Sequence, residues 1–298
     1  MQELLNYFPL RIRNELSNLN LEHLEEIRIR NQRPIFLKIG QEEKQIDCII
    51  TTENILEILQ RICDNSIYTY QNQICNGYIT IKGGHRIGIT GNVVVKDGQV
   101  INISHIYSLN FRIARQILDC SDSMIKDILD FKNHSVYNTM IVSPPGRGKT
   151  TILRDLIRKL SNGIKEYNFQ GINIGVVDER GELAAMYKGI PQNDLGKKTD
   201  ILDNIPKAIG MQMLIRSMTP RVIVADEIGT VQDIEAIQYA VSCGVNGIFT
   251  AHGSSIEDIM KNPILGKLYQ SNILERIFFI KEDRKICLEY KKQERRVG

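Results

Sequence analysis

The sequence lacks several features that would assign a protein to a class at once. No apolar run approaches the roughly 18 residues needed to span a bilayer, and the first residues have neither the basic nor the apolar region of a signal peptide. Six cysteines occur without a C-x-x-C pair, which favours reduced thiols over zinc ligands or a disulfide framework. A net charge of +3 is too small to indicate nucleic acid or a membrane surface. Hydrophobic residues make up 42% of the chain, so we expect a soluble globular protein with a sizeable core.

What the sequence does contain is a candidate phosphate-binding loop after an apolar strand. Its nine residues are Ser143, Pro144, Pro145, Gly146, Arg147, Gly148, Lys149, Thr150 and Thr151. Glycines let main-chain N–H groups curl around an oxyanion, and the amino end of the following helix adds its positive dipole. In such a P-loop, Lys149 reaches the β- and γ-phosphates and the hydroxyl of Thr150 binds Mg²⁺. The loop therefore predicts binding of a nucleoside triphosphate, and a glycine-rich turn without a ligand is the alternative.

The loop departs from the pattern G-x-x-x-x-G-K-[ST] at one position, where Ser143 replaces the first glycine. Serine is tolerated there if its φ is negative, and Gly146 still supplies conformational freedom inside the loop. The helix after the loop carries apolar residues at helical spacing and is expected to stop at Ser161-Asn162-Gly163. This context of strand, loop and helix is what a P-loop requires.

The C-terminal half of the chain alternates predicted strands and helices. We predict strands over 138–142, 172–177, 222–225 and 247–250, and helices over 151–161, 204–217 and 231–242. Short, continuously apolar strands separated by helices indicate a parallel sheet covered on both faces. Ligands of such sheets bind at the carboxyl ends of the strands, so the polar residues after three of these strands should converge on the P-loop.

The N-terminal half has a different pattern, typical of a separate α+β domain. We predict a helix over 52–64 with Thr52 as its N-cap. Asp97-Gly98 predicts a hairpin turn between strands over 92–95 and 100–103. We therefore expect an N-terminal domain over 1–115, a linker region over 116–136 and an ATPase domain over 137–298, ending in a basic, solvated tail with Arg295 and Arg296.

An apolar strand that ends in two acids, Asp226 and Glu227, has the form of the second element of NTPases. One acid, here Asp226, belongs to the Mg²⁺ shell, and the other, Glu227, orients or deprotonates the attacking water. Such a strand end is common by itself. After a P-loop and in the same alternating sheet, it indicates nucleotide chemistry.

Two further strand ends carry candidate catalytic groups. Glu179 and Glu182 follow the strand over 172–177, and either carboxylate can polarise water; a charged loop that faces solvent is the alternative. His252 follows the strand over 247–250 and can hydrogen-bond a γ-phosphate. A lone histidine is also often a structural hydrogen-bonding group, so both interpretations stay open here.

Three arginines of the N-terminal half, Arg86, Arg112 and Arg115, lie beside apolar strand patterns. An arginine from another domain or subunit can stabilise charge on a transferring phosphoryl group. From the residues alone, ordinary surface salt bridges are the preferred interpretation.

Several segments together resemble a known family. They are Ser143-Pro-Pro-Gly-Arg-Gly-Lys-Thr-Thr, Val177-Asp-Glu-Arg-Gly-Glu, the stretch from Gly210 to Gly229, and Gly247-Ile-Phe-Thr-Ala-His-Gly, with Gly83-Gly-His-Arg-Ile-Gly and Ser108-Leu-Asn-Phe-Arg-Ile-Ala-Arg in the N-terminal half. Over roughly residues 75 to 290, the chain resembles the stage III sporulation protein AA family, within the wider superfamily of type II and type IV secretion ATPases.

The resemblance implies a RecA-like ATPase domain with a mostly parallel sheet, preceded by a smaller domain and assembled as a ring, a homo-hexamer. ATP and Mg²⁺ would be the cofactors, with Lys149 and Thr150 as the family's P-loop residues and Glu227 as its Walker B acid. The segment 178–182 resembles the family's acidic box and His252 its His box. Arg86, Arg112 and Arg115 lie where such ATPases keep arginines that reach the nucleotide.

By resemblance, the ATPase would power a channel complex between mother cell and forespore. It would be cytoplasmic and would dock on membrane proteins of that complex on the mother-cell side. The alternative is a nucleotide-gated scaffold that binds ATP with little hydrolysis, favoured only by Ser143. A nucleic-acid-dependent motor is disfavoured by the near-neutral charge and the lack of a basic patch interleaved with aromatic residues.

Overall fold

The chain forms two compact units in a computed structural model, which describes residues 2–292. The N-terminal unit comprises residues 1–115 and a short later segment, 185–192, and the C-terminal unit comprises the remaining residues. The predicted basic tail with Arg295 and Arg296 lies outside the described residues.

The N-terminal unit is an α+β structure built around one antiparallel sheet. Its helices and strands are α1 (Gln2–Leu5), α2 (Leu10–Ser17), β1 (Leu24–Arg30), β2 (Ile35–Ile39), β3 (Glu42–Ile46), α3 (Thr52–Ile62), a 3₁₀ turn (Ile67–Tyr70), α4 (Gln71–Cys75), β4 (Tyr78–Thr80), β5 (Arg86–Lys96) and β6 (Gln99–Arg112). The six strands are ordered β3-β2-β1-β6-β5-β4.

Buried and exposed side chains alternate along the strands, so one face of this sheet is buried and the other is exposed. In β1, Ile27 and Ile29 are fully buried in the core with the helices, while Arg28 and Arg30 lie on the opposite, exposed face. The predicted hairpin is formed by β5 and β6. Its two turn residues, Asp97 and Gly98, both have a positive φ, as the central residues of a type I′ hairpin turn do.

Helix α3 begins at Thr52, but its N-cap is the preceding residue. The side chain of Thr51 accepts a hydrogen bond from the main-chain N–H of Asn54, whose own side chain accepts from the N–H of Thr51. The prediction of Thr52 as the cap is therefore wrong by one residue, because two adjacent threonines present the same local signal.

The C-terminal unit is an α/β structure. Its elements are α5 (Asp122–Ile128), β7 (Leu129–Asp130), β8 (Ser135–Val136), β9 (Thr139–Val142), α6 (Lys149–Asn162), β10 (Gly163–Ile164), a 3₁₀ turn (Lys165–Tyr167), β11 (Phe169–Gln170), β12 (Ile174–Asp178), β13 (Thr199–Asp203), α7 (Lys207–Met218), β14 (Val222–Ala225), α8 (Val231–Ser242), β15 (Asn246–Ala251), α9 (Ile256–Lys261), α10 (Leu265–Gln270), β16 (Arg276–Ile280) and β17 (Ile286–Lys291).

Seven strands form its main sheet in the order β13-β12-β14-β15-β9-β16-β17. All neighbours are parallel except β16 and β17. Every residue of β9 and β14 is buried, as expected for central strands covered on both faces. Helix α6 buries an apolar stripe along its length, and a glycine with φ of 89° follows its last residue. This topology brings the carboxyl ends of β12, β14, β15 and β9 to one edge of the sheet.

The structure also contains elements that the sequence patterns did not indicate. The edge strands β13 and β17 and the buried strand β16 extend the predicted sheet on both sides. Residues 116–136, expected as a linker region, contain α5 and the short strands β7 and β8 and belong to the C-terminal unit. Over residues 2–292, the structure has no helix of the length and apolar character needed to cross a membrane.

Candidate nucleotide-binding site

The loop between β9 and α6 has the backbone conformation that its glycines allow. Gly146 and Gly148 have φ values of 74° and 92°, in the left-handed region that favours glycine. A Cβ at either position would meet no heavy atom within 4 Å, so the need for glycine there is conformational. Ser143 is buried and does not have a positive φ, so the departure from the usual glycine introduces no backbone strain.

Lys149 is the first residue of α6, and its ammonium group is buried beneath the loop. Its Nζ donates to the main-chain oxygen of Ser143 at 2.9 Å and lies 3.1 Å from Nδ1 of His252. Burial lowers the pKa of Lys149 from its ordinary value, against the attraction of Asp226 and Glu227. An ammonium group only donates, so Nδ1 of His252 is the acceptor in this contact.

Three oxygen-bearing side chains meet where β14 ends. The hydroxyl of Thr150 donates to Oδ2 of Asp226 at 2.6 Å, and the hydroxyl of Thr250, on the neighbouring β15, donates to Oδ1 of the same carboxylate. Hydroxyl and carboxylate oxygens are the ligands that Mg²⁺ prefers. Thr150 and Asp226 therefore fit the magnesium site that the sequence predicts.

Glu227 follows Asp226 but points to a different group of partners. Its φ is 54°, an uncommon value for a residue with a side chain, and its main-chain N–H donates to Oγ1 of Thr250 at 2.8 Å. Nε2 of His252 lies 3.3 Å from its Oε1, and Nη1 of Arg180 donates to its Oε2 at 2.5 Å. One carboxylate thus joins the ends of β12, β14 and β15.

The loop after β12 is held in place by its first acid. Asp178 is buried, and its carboxylate accepts hydrogen bonds from the main-chain N–H groups of Glu182, Leu183 and Ala184. Burial raises the pKa of Asp178, although these three bonds act in the opposite direction. Lys207, the first residue of α7, pairs with Glu179. Both predicted carboxylates of this loop, Glu179 and Glu182, line one small cleft together with Asp226 and Glu227.

The predicted site residues of the C-terminal unit therefore lie together at one edge of its sheet. The predicted arginines belong to the N-terminal unit. Arg86 and Arg112 are partners across β5 and β6, and the guanidinium of Arg86 lies over the ring of Tyr78. Arg115 donates to the main-chain oxygens of residues 22 and 24. A role of these arginines in catalysis stays a prediction.

The sequence patterns alone assign no role to three residues of the site. Thr250 is the last residue of the predicted strand over 247–250, and nothing in that position showed that its hydroxyl contacts both Asp226 and Glu227. Arg180 carried a weak signal as the cation of a charged loop. Lys207 carried none, because its pairing with Glu179 depends on how α7 packs on the sheet.

Comparison with known proteins agrees with this geometry. A family model described as "Sporulation stage III, protein AA" matches residues 1–293. The chain belongs to the stage III sporulation protein AA family. Stage III sporulation protein AA of Bacillus subtilis (strain 168) is 40% identical over 279 residues, which are 93% of this chain and 89% of the relative. The resemblance recognised in the sequence is thereby confirmed.

Solved structures confirm the fold class for this family member. The ATPase DotB of Legionella pneumophila superposes with a TM-score of 0.60 at 16% identity, covering 94% of this chain and 79% of DotB. The pilus retraction motor PilT, solved with bound ADP, gives a TM-score of 0.59 at 15% identity, covering 94% of this chain and 83% of PilT. At these identities the likeness concerns the fold, which is that of secretion-type P-loop ATPases.

Proposed function

We propose that the protein is an oligomeric ATPase that binds ATP with Mg²⁺ and hydrolyses it. The observation that carries this proposal is the hydrogen bond of 2.6 Å between Thr150 of the P-loop and Asp226 after β14. It joins the two elements that NTPases use to hold a nucleotide and its metal. Lys149, His252 and Glu227 lie beside this bond in a continuous series of contacts.

Each residue has a definite task in this proposal. The loop N–H groups and Lys149 bind the phosphates, and Thr150 and Asp226 hold Mg²⁺, which neutralises phosphate charge when it is bound. Glu227 orients the attacking water and accepts its proton, with Glu179 or Glu182 contributing negative charge nearby. His252, between Lys149 and Glu227, responds to the presence of the γ-phosphate.

Assembly completes the site in the proposed enzyme. A ring of identical subunits, a homo-hexamer, would let Arg86, Arg112 or Arg115 stabilise the charge that develops on the transferring phosphoryl group. Such an arginine contributes about 10³–10⁵ in rate in other NTPases. This assembly is proposed from the resemblance of the sequence motifs to those of secretion ATPases.

Family membership supports a role in sporulation. We propose that ATP hydrolysis powers the assembly of a channel complex between mother cell and forespore, or transport through it. The protein would act in the cytoplasm of the mother cell and reach the membrane by docking on membrane proteins of this complex.

The deciding experiment is steady-state ATP hydrolysis with Mg²⁺ over a range of protein concentrations, comparing wild type with Glu227→Gln. We expect turnover that rises with concentration and is lost in Glu227→Gln. Glu235→Gln, which neutralises an exposed acid on α8, is the matched control and should keep wild-type turnover. Bound ATP without turnover in wild type would favour a nucleotide-gated scaffold instead.

A further inference from the structure

The carboxylate of Glu227 is held between two side chains from different strand ends. Arg180, in the loop after β12, donates to its Oε2 at 2.5 Å. His252, after β15, lies 3.3 Å from its Oε1. Each oxygen of the carboxylate therefore has a nitrogen partner of its own.

The backbone of Glu227 is fixed independently of these contacts. Its left-handed conformation and the bond from its N–H to Oγ1 of Thr250 determine where the Cα lies. Only the side-chain torsions of Glu227 remain free. The contacts with Arg180 and His252 therefore determine the direction of its carboxylate.

The backbone on either side of Arg180 is also anchored. Asp178 accepts three main-chain hydrogen bonds from residues 182–184, and Glu179 pairs with Lys207. An exposed ion pair contributes little to stability in general, and the side chain of Arg180 is 64% exposed. The value of this pair therefore lies in the geometry that it imposes on Glu227.

We propose that Arg180 is a positioning residue for Glu227 in the reaction, an inference that rests on the proposed ATP hydrolysis. Its guanidinium fixes one oxygen of the carboxylate, which leaves the remaining lone pairs free to orient the attacking water. A planar guanidinium holds a carboxylate in a defined orientation better than an ammonium group does. Arg180 acts through Glu227 and leaves nucleotide binding to the P-loop.

Steady-state kinetics of Arg180→Ala and Arg180→Lys test this role. We expect kcat of Arg180→Ala to fall on the order of ten- to hundred-fold, because a small misplacement of a catalytic group costs about this much. KM should stay within about twofold of the wild-type value, because Arg180→Ala leaves the contacts that bind ATP in the ground state intact. Arg180→Lys should be intermediate, and added guanidinium should restore part of the turnover of Arg180→Ala but none of that of Glu227→Gln.

The matched control is Arg221→Ala, which removes an exposed guanidinium just before β14, at the other end of the strand that leads to Glu227. It should keep the wild-type kcat. Two results would overturn the proposal: a kcat of Arg180→Ala that is unchanged, whether or not KM rises, or a kcat that is increased.

A crystal structure of Arg180→Ala with a non-hydrolysable ATP analogue separates this inference from the proposed function. We expect the carboxylate of Glu227 to turn away from its wild-type direction, while the bond between Thr150 and Asp226 is kept. A carboxylate that stays in place would refute the positioning role. If wild type does not hydrolyse ATP, the proposed function fails, and this comparison still decides whether Arg180 orients Glu227.

Discussion

Replacing Asp178 by alanine would remove the group that holds the acidic loop after β12. Its Oδ1 accepts from the N–H groups of Glu182 at 2.8 Å and Leu183 at 3.1 Å, and its Oδ2 accepts from that of Ala184 at 2.8 Å. Asp178 is only 3% exposed, and Leu183 and Ala184 are fully buried. Water can therefore replace the lost acceptor only in part.

The size of the effect follows from two opposing contributions. Each buried N–H group left without an acceptor costs about 1–3 kcal/mol. Burial raises the pKa of Asp178, so removing the carboxylate also removes an unfavourable buried charge. We therefore expect Asp178→Ala to lower the free energy of unfolding by roughly 2–4 kcal/mol.

Urea unfolding at neutral pH measures this loss directly. Asp178→Asn keeps one acceptor oxygen but turns an amide donor toward the remaining N–H groups, so its loss should be intermediate. The pKa of Asp178 is raised in the folded state, so the folded chain binds this proton at a higher pH than the unfolded chain does. Protonation of Asp178 therefore increases the free energy of unfolding as the pH falls toward the ordinary pKa of about 4. The difference in the free energy of unfolding between wild type and Asp178→Ala should therefore grow as the pH is lowered. A loss below about 0.5 kcal/mol, the range of ordinary surface substitutions, would refute the reasoning.

Four further outcomes are expected. Lys149→Ala should abolish binding of labelled ATP, because no other ammonium replaces it in the loop. Gly148→Ala should lower the free energy of unfolding in urea by about 1–2 kcal/mol, because alanine at a φ of 92° is strained. Arg112→Ala should reduce ATP turnover more than ATP binding. Wild-type turnover in this variant would instead favour an ordinary surface salt bridge as the role of Arg112. Burial raises the pKa of Asp155, but hydrogen bonds from Ser121 and other donors outweigh this and lower it overall. Wild type should therefore lose part of its stability through Asp155 as the pH falls from about 4 toward that lowered pKa. In unfolding measured against pH, the loss should be smaller in Asp155→Asn than in wild type.

The parts of the fold that followed from the sequence are those with local signals. The central strands are short apolar runs, and α8 has the predicted bounds of Val231 and Ser242 because a threonine cap and an apolar stripe define it. The edge strand β13 has only half-buried residues, so its pattern resembles that of a loop. Its pairing with β12 arises from tertiary structure, which local patterns do not encode.

The same distinction applies to the candidate site. Parallel strands place their carboxyl ends at one edge, which predicted that Asp226 would approach the P-loop. The partners that orient these groups come from distant segments of the chain. Lys207 lies 28 residues after Glu179, and Arg180 lies 47 residues before Glu227. No short spacing connects such pairs, so only the folded chain reveals them.

The two adjacent acids after β14 have separate surroundings because Glu227 has a left-handed backbone conformation and Asp226 does not. Asp226 accepts hydroxyl bonds from Thr150 and Thr250, whereas Glu227, at a φ of 54°, turns toward Arg180 and His252. Left-handed backbone costs about 1–2 kcal/mol for a residue with a side chain. The bond from the N–H of Glu227 to Thr250 offsets part of this cost. In an extended strand, neighbouring side chains would point to opposite faces of the sheet. The strained residue instead keeps both carboxylates at the same edge, one beside the proposed metal ligands and the other beside the cations.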